Sequence, residues 1–258
     1  MSKESISKDY LNRLPPARRA YPSDREALVV GCNNLKGPKN IGDAISDELV
    51  REGFQVASTD VDDLDVQFLG STKRFFDTHE HTWDTLVYAA GVNELNWFED
   101  QGNIYDQITV NLLGAMEVSQ EFIKRTIDDN WIKTIVFIGS MAYNRVLNGS
   151  AAYCASKAGL AHFAKCLGFE LTPKGYRVFC VHPSNVENSP MSEATVQGLM
   201  KYRDLTEEQA RDYWATGLLM PEWLQKDDVA GVVAQLAKGE HGLQYLTGTN
   251  IELSGGQR

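Results

Sequence analysis

Short apolar runs alternate along the chain with longer segments of helical periodicity. The apolar runs have the length and β-branched content of buried strands, and they cover residues 27–30, 54–59, 85–88, 135–138, 177–181 and 250–253. The helical segments cover residues 41–52, 103–129, 151–172 and 226–238. This alternation predicts an α/β fold, a doubly wound parallel sheet with helices on both faces. Ligands of such sheets bind beyond the carboxyl ends of the strands, so chemistry is expected there.

The first 25 residues stand outside this pattern. They are polar, contain Pro15-Pro16 and Arg18-Arg19, and are predicted to form an N-terminal extension, residues 1–25. Residues 26–258 are predicted to form one domain, because doubly wound sheets of this length are common as single domains. An insertion, 188–224, interrupts the alternation before the last helix.

Composition and charge narrow the function classes. The chain has 43% apolar and 23% charged residues, which is ordinary for a globular protein. Its 25 basic and 35 acidic residues give a net charge of −10, which argues against a general nucleic-acid or anionic-membrane surface. No apolar run approaches the ~18 residues of a membrane span, and the start of the chain has no signal-peptide pattern. We therefore expect a cytoplasmic protein.

Cysteine and histidine spacing gives little sign of a metal site. The four cysteines show neither C-x-x-C pairing nor zinc-ligand clustering, and they are expected to be reduced thiols. His79 and His81 are two residues apart without further ligand types nearby, which is weak evidence for metal binding. We predict no metal centre.

The strongest chemical signal is the pair Tyr153 and Lys157 near the start of a predicted helix. Side chains four residues apart share one helical face, and a nearby ammonium favours phenolate. The lysine is therefore expected to lower the tyrosine pKa from its usual value of about 10, so that the tyrosine can act at neutral pH. Ser140 follows the strand 135–138 and is expected to hydrogen-bond a carbonyl or hydroxyl beside Tyr153.

Further motifs accompany these residues in a particular order. They are the glycine-containing turn after the first strand, Ala89-Ala-Gly91, Val110-Asn111, Ser140, Tyr153-x-x-x-Lys157, Pro183, Leu246-Thr-Gly248 and Gly255-Gly256. Over about residues 26–256 the chain thus resembles the short-chain dehydrogenase/reductase family. The resemblance implies a single-domain Rossmann-like sheet and hydride transfer with a nicotinamide cofactor.

The resemblance also implies roles for four residues. Tyr153 would be the general acid/base, and Ser140 would position the substrate and stabilise its oxyanion. Lys157 would both lower the tyrosine pKa and bind the nicotinamide ribose. Asn111, in the middle of a helix, would hold the water of a proton relay.

The cofactor loop departs from the family pattern. The family has T-G-x-x-x-G-x-G, whereas here the loop from Gly31 to Gly42 is longer and Asn40 occupies the second glycine position. Gly31 and Gly42 still allow backbone N–H groups to approach a pyrophosphate at a helix N-terminus, beside Asn40 and Ile41. Long loops of this kind are similar to those of enoyl-carrier-protein reductases in the same family, which space tyrosine and lysine six residues apart.

Acidic residues after the second strand favour NAD as the cofactor. A carboxylate at Asp60 would accept hydrogen bonds from the adenosine ribose and repel a 2′-phosphate, and Asp65 would meet the adenine. Asp62 and Asp63 add to this repulsion. Lys39 argues for NADP, because family members that use NADP often carry a basic residue there, so NADP stays possible.

The family pattern extends to the rest of the predicted cleft. The remaining cofactor contacts that it implies are Ala89, Ala90, Gly91, Pro183, Val186 and Asn188. Candidates for substrate walls are Trp97, Met141, Tyr143 and Met191. The insertion 188–224 would be a helical substrate lid. The chain between Asp60 and Gly91 is shorter than the family layout, which predicts that the helix after the second strand is absent or reduced to a turn.

Three functional hypotheses stay open. The first is a NAD(P)-dependent oxidoreductase that interconverts a secondary alcohol and a ketone, with Tyr153 as general acid/base. The second is an enoyl-thioester-type reductase, and the third is a non-catalytic dinucleotide-sensing protein, against which the intact tyrosine argues. The partner would be a small carbonyl or alcohol substrate. The resemblance implies a homotetramer or homodimer, which the helices 103–129 and 151–172 would join.

Overall fold

The structure is a computed structural model of the chain. It describes residues 24–33, 37–68, 70–79, 81–126, 131–215, 219–220, 223–240 and 242–256. The predicted N-terminal extension, apart from Asp24 and Arg25, lies outside the described residues.

Among the described residues, six parallel strands form a single sheet. They are β1 (Glu26–Val30), β2 (Gln55–Thr59), β3 (Thr85–Tyr88), β4 (Lys133–Ile138), β5 (Tyr176–Pro183) and β6 (Thr249–Leu253). Their order is β2-β1-β3-β4-β5-β6, with every neighbouring pair parallel. The chain leaves β1 toward one side for β2 and returns past β1 for β3, which creates the switch point where open α/β sheets bind ligands. The predicted doubly wound fold is confirmed.

Eight α-helices accompany the sheet in the described part of the chain. They are α1 (Ile41–Arg51), α2 (Ser71–Thr78), α3 (Ile104–Ile108), α4 (Gly114–Arg125), α5 (Ala151–Leu171), α6 (Pro190–Arg203), α7 (Glu207–Ala215) and α8 (Lys226–Lys238). A π-helical turn, Thr109–Leu113, joins α3 to α4. The continuous helix predicted for residues 103–129 is thus interrupted within its length, and its last residues lie outside the described ranges.

Strand side chains alternate between two apolar layers. Leu28 and Leu86 face the layer that contains side chains of α4 and α5. Val29 and Val87 face the opposite layer, which contains side chains of α1 and α8. Because both faces of the central strands are buried, their sequences are continuous apolar runs rather than alternating ones.

The segment between β2 and β3 is short, but it contains a helix. The sequence predicted that this helix is absent or reduced to a turn, whereas α2 has eight residues. Phe75 and Phe76 of α2 pack on Trp83, with ring centroids 6.1 Å and 5.6 Å apart. A helix of this length is marginal alone, so this aromatic packing is what stabilises it.

The insertion before α8 folds into α6 and α7. Val196 and Leu199 of α6 pack against Ala210 of α7 in a small apolar cluster of their own. Leu95, in the loop after β3, packs against the same cluster. The two helices are therefore attached to the loop at the carboxyl end of a central strand.

Three further properties bear on function. No helix in the described part of the chain is long and apolar enough to cross a membrane. The same residues contain no group of three or more His, Cys, Asp or Glu side chains that could hold a metal ion. The four cysteines are free thiols.

Candidate active site

A cleft of about 770 Å³ lies beyond the carboxyl ends of β1 to β5. Most of the predicted site residues line it: Gly31, Asn40, Ile41, Asp60, Asp65, Ala89, Ala90, Gly91, Ser140, Met141, Tyr153, Lys157, Pro183, Val186 and Met191. Five predicted residues are not part of its lining: Gly42, Trp97, Asn111, Tyr143 and Asn188. The cleft lies at the sheet edge where a switch point between parallel strands provides room for a ligand.

Tyr153 lies in the first turn of α5 with its side chain buried. Its hydroxyl lies 3.8 Å from Met191 Sδ. Burial raises the pKa of Tyr153 to about 12, and a hydrogen bond with the Ser140 side chain only partly opposes this rise. The direction is opposite to the one that the sequence predicted, because removal of the phenolate from water dominates over any other influence on the group.

Lys157 lies one helical turn after Tyr153 and is also buried. Its Nζ donates a 2.9 Å hydrogen bond to the carbonyl oxygen of Ile138, at the end of β4. The same Nζ is 5.7 Å from the centroid of the Tyr153 ring. Burial lowers the pKa of Lys157 to about 8. With this pKa, the Lys157 ammonium still carries its charge at neutral pH, beside Tyr153.

Asn111 lies behind the cleft, in the π-helical turn, and is fully buried. Its Nδ2 donates to the Val92 carbonyl at 2.9 Å and to Ser156 Oγ at 3.0 Å, while its Oδ1 accepts from the Val92 N–H at 2.8 Å. A methyl group at Gly91 would lie 3.4 Å from Asn111 Oδ1 and 3.5 Å from Lys157 Nζ. Asn111 therefore ties the loop after β3 to the helix that carries Tyr153.

Ser140 follows β4 and begins a short 3₁₀ turn, where its Oγ accepts from the Ala142 N–H at 3.2 Å. Below it lies His182, a fully buried residue of β5. His182 Nδ1 is 3.0 Å from the Ser140 carbonyl oxygen and 3.3 Å from the Ser140 backbone nitrogen, and Nε2 is 3.2 Å from Asn250 Oδ1. Burial lowers the pKa of His182. The imidazole thus fixes the backbone of Ser140 from inside the sheet.

Tyr143 does not form a substrate wall in this structure. Its ring stacks on the His182 ring with centroids 3.9 Å apart, and its hydroxyl donates to Glu252 Oε1 at 2.6 Å. It therefore joins the loop after β4 to β6 and is not part of the cleft lining. Sequence reasoning overlooked His182, although a histidine directly before Pro183 in an otherwise apolar strand is a signal that could have revealed it.

The turn after β1 brings the cleft floor together. Gly31 has a φ of 97°, and a methyl group there would collide with the backbone of Ala90. Only glycine permits so close an approach between the turns after β1 and β3. A methyl group at Gly42 would lie 2.6 Å from the Gly31 carbonyl oxygen, so Gly42 supports this turn without lining the cleft.

Asn40, in the second glycine position of the family pattern, caps α1. Its Oδ1 accepts from the Asp43 N–H at 2.9 Å, and its Nδ2 donates to the Gly31 carbonyl at 2.9 Å. The start of α1 therefore faces the cleft beside Ile41. A helix N-terminus favours anions, so these residues fit the pyrophosphate of a dinucleotide.

Acidic side chains lie at the end of the cleft after β2. Asp60 is buried, and its Oδ1 accepts from the N–H groups of Asp62 at 2.8 Å and Asp63 at 3.2 Å. Asp65 Oδ1 accepts from the Gln67 N–H at 2.9 Å. These bonds hold the two cleft-lining carboxylates in fixed turns, which suits recognition of ribose hydroxyls.

Lys39 is not part of the cleft lining. Its ammonium pairs with Asp47 of α1 on an exposed surface. Exposed ion pairs of this kind contribute only ~0–1 kcal/mol. The pair with Asp47 therefore holds Lys39 in this position only weakly.

Sequence comparison completes the assignment of the fold. The family model for short chain dehydrogenases matches residues 63–199, more than half of the chain. The chain belongs to the short chain dehydrogenase family. Dehydrogenases are oxidoreductases, so the chain is a member of an oxidoreductase family.

Individual relatives of the chain are named for different substrates. It is 24% identical over 253 residues to 3-oxoacyl-[acyl-carrier-protein] reductase of Buchnera aphidicola, covering 89% of this chain and 96% of the relative. It is 30% identical over 178 residues to the NADH-dependent L-xylulose reductase of Ambrosiozyma monospora, covering 66% of this chain and 61% of the relative. The solved structure of sorbitol-6-phosphate 2-dehydrogenase from Erwinia amylovora aligns with a TM-score of 0.79 at 22% identity, covering 90% of this chain and 99% of that one.

Described residues of the insertion before α8 form one wall of the cleft. Leu199 of α6 and Trp214 of α7 line it, together with Met191. Two other predicted residues lie elsewhere. Trp97 is more than half exposed and contacts the Tyr202 ring with centroids 4.6 Å apart, and Asn188 has a φ of 52° and accepts a 3.0 Å hydrogen bond from Lys226 through its carbonyl.

Proposed function

We propose that this protein is a NAD(P)-dependent oxidoreductase that interconverts a secondary alcohol and a ketone. The observation that carries the proposal is the convergence of Tyr153, Ser140 and Lys157 on one cleft with the capped N-terminus of α1. One part of this cleft offers an acid/base group, and another offers backbone N–H groups for a pyrophosphate. The proposed assignment of the site residues rests on this joint geometry and not on any single motif.

The residues fit a nicotinamide dinucleotide. Gly31 permits the tight turn that forms the cleft floor, Gly42 supports this turn, and the N-terminus of α1 faces the cleft. Asn40 and Ile41 would hold the pyrophosphate, Asp60 the adenosine ribose, and Lys157 the nicotinamide ribose. When bound, the nicotinamide ring supplies or accepts the hydride.

Proton transfer belongs to Tyr153. With a pKa of about 12 the phenol is protonated at neutral pH, so it is ready to donate its proton to the oxygen of a ketone as that ketone is reduced. Ser140 hydrogen-bonds the same oxygen and holds it beside the phenol. The Lys157 ammonium stabilises the phenolate that remains, because its charge lies close to the ring. In the direction of alcohol oxidation the same groups run the transfer in reverse.

NAD is the proposed cofactor in preference to NADP. Asp60 and Asp65 present carboxylates to the cleft, where the 2′-phosphate of NADP would meet their charge. Lys39, which would favour that phosphate, is paired with Asp47 outside the cleft lining. The relative described as an NADH-dependent L-xylulose reductase is consistent with this preference.

The experiment that tests the function mixes the purified protein with NADH or NADPH and a panel of ketones and enoyl thioesters. We expect loss of reduced-nicotinamide absorbance with one or more ketones. Turnover of enoyl thioesters alone would replace the proposal with the enoyl-reductase alternative, which the long loop before Asn40 favours. Dinucleotide binding without turnover of any compound would instead indicate a sensing protein.

The protein is also proposed to assemble as a homodimer or homotetramer through α4 and α5. Leu113, beside the start of α4, is 43% exposed, and Phe169 of α5 is 78% exposed. A second copy packed on these two helices would cover both side chains. Light scattering on the wild type and on Phe169→Glu tests this: the variant is expected to have a lower mass, and equal masses would contradict the assignment of α5.

A further inference from the structure

A tyrosine hydroxyl lies inside the apolar layer below the active site. Tyr88, the last residue of β3, is fully buried, and its Oη donates a 2.6 Å hydrogen bond to the Val110 carbonyl oxygen. Tyr88 is not part of the cleft lining. A phenylalanine would fill nearly the same space without bringing a polar group into the core. Burial of a hydroxyl is favourable only when it is hydrogen-bonded, so the bond to Val110 is the contact that the oxygen provides.

The bond is directed at the π-helical turn, where the backbone pairing is altered. The Gly114 N–H donates to the Thr109 carbonyl, five residues earlier. In a regular α-helix the same N–H would donate to Val110, four residues earlier. The Tyr88 hydroxyl supplies a donor to the Val110 carbonyl in its place, and a buried carbonyl requires such a partner.

Gly114 is shaped to this arrangement. A methyl group at position 114 would lie 2.5 Å from Tyr88 Oη and 2.9 Å from Val66 Cβ. The hydroxyl therefore reaches Val110 only because residue 114 has no side chain. Tyr88 and Gly114 form a matched pair, one that provides the donor and one that leaves room for it.

The residue held by this turn is Asn111. Its amide bridges Val92 and Ser156, and Ser156 Oγ in turn donates to the Tyr153 carbonyl at 2.7 Å. If this turn were regular α-helix, Asn111 would be rotated about the helix axis by about 100° relative to either α3 or α4. The reason is that each residue of an α-helix turns by that angle. Asn111 could then no longer meet both partners.

We propose that Tyr88 is a positioning residue of the active site. Its hydroxyl holds the π-helical turn in the form that lets Asn111 connect the loop after β3 to the helix of Tyr153 and Lys157. The inference rests on the proposed function, since its catalytic consequence is read through proton transfer at Tyr153. Its structural half concerns the turn alone and can be measured without turnover.

The first test is Tyr88→Phe, with Tyr176→Phe as the matched control. Tyr176 is also buried but lies at the start of β5, at the other end of the sheet from the cleft. For Tyr88→Phe we expect a roughly tenfold lower kcat, the effect of one lost hydrogen bond to a buried acceptor, with KM for the dinucleotide within twofold. The control is expected to keep both values. A merely destabilised variant would not separate kcat from KM in this way.

The second test measures the turn directly. Amide hydrogen exchange across residues 109–115 is expected to be faster in Tyr88→Phe than in the wild type and unchanged in Tyr176→Phe. Gly114→Ala is expected to lower the melting temperature, and adding Tyr88→Phe to it should cost less than the two single changes together, because the oxygen at 2.5 Å is gone.

The outcomes separate the two proposals. If the wild type turns over no alcohol, ketone or thioester, the proposed function fails, and with it the catalytic role of Tyr88, while exchange still reports on the turn. Unchanged exchange together with strictly additive melting shifts would overturn the structural inference in an active or an inactive enzyme. Faster exchange with an unchanged kcat would overturn the positioning role alone.

Discussion

Burial of Tyr153 favours its protonated form. Removal of its hydroxyl should therefore affect proton transfer. Tyr153→Phe leaves the shape of the buried ring intact, so the fold and dinucleotide binding should persist. We expect kcat to fall by ~10²–10⁴-fold, the usual effect of a lost general acid/base. Steady-state kinetics and a dinucleotide titration measure the two properties separately. Activity within threefold of the wild type would refute the assignment.

Lys157 introduces a pH dependence of definite sign. Its pKa of about 8, lowered by burial, means that the ammonium is present below that pH and lost as the pH rises through it. In the proposed reaction, ketone reduction leaves a phenolate on Tyr153 that the ammonium stabilises, so kcat for reduction should decline above about pH 8. Lys157→Met should be slow at every pH and lack this step. If kcat of Lys157→Met still declined above about pH 8, the decline would belong to another group.

In the proposed function, the choice between NAD and NADP depends on two residues of opposite charge, Asp60 and Lys39. Asp60→Asn keeps an oxygen for the N–H groups of Asp62 and Asp63 but removes the charge, so the preference for NADH should narrow or reverse. Lys39→Ala should widen the preference for NADH. Repulsion between the Asp60 carboxylate and a 2′-phosphate costs ~1–4 kcal/mol, and the low end, about tenfold in affinity, is expected because Lys39 can offset part of this repulsion. Tighter NADPH binding that Lys39→Ala abolishes and Asp60→Asn leaves alone would show the lysine to be decisive.

At the scale of elements, the turn after β1 sets the cleft floor, and a pair of glycines tests this. Gly31→Ala places a methyl group against the Ala90 backbone at a φ of 97°, which neither a rotamer change nor a side-chain shift can relieve. We expect a loss of about 2–4 kcal/mol of stability and loss of dinucleotide binding. Gly37→Ala is the control in the same loop, since nothing lies within 4 Å of the added methyl group. Equal behaviour of the two variants would contradict the close approach seen at Gly31.

The strands and long helices could be predicted from sequence because their apolar periodicity is imposed by burial against two layers. The π-helical turn around Asn111 could not, since it changes one backbone bond without changing which residues are apolar. Met141 and Tyr143 both follow Ser140 in sequence, yet a 3₁₀ turn rotates them by about 240° relative to one another, so Met141 lines the cleft and Tyr143 does not. His182 was overlooked because its role is to contact backbone atoms of Ser140, which no motif records.

At the scale of the whole molecule, Tyr153 and the helices α6 and α7 lie at the same edge of the sheet. The helices contact the loop after β3 through Leu95 and Gly198, where a methyl group at Gly198 would lie 3.1 Å from Leu95 Cβ. In the proposed function, substrate selection therefore depends on α6 and α7, a segment whose sequence carries no family motif. The sequence for this reason predicts the fold and the oxidoreductase family but not the substrate.

The turns after five different strands form the walls of the cleft. Binding of a ligand is therefore coupled to the stability of the fold. A molecule that fills it touches both halves of the sheet, so unfolding either half requires its release. At a free concentration of a hundred times Kd, such a ligand adds ~2.7 kcal/mol to the free energy of unfolding. In a living cell, the supply of nicotinamide dinucleotide would then influence how long each copy of the protein escapes proteolysis, as well as how fast it works.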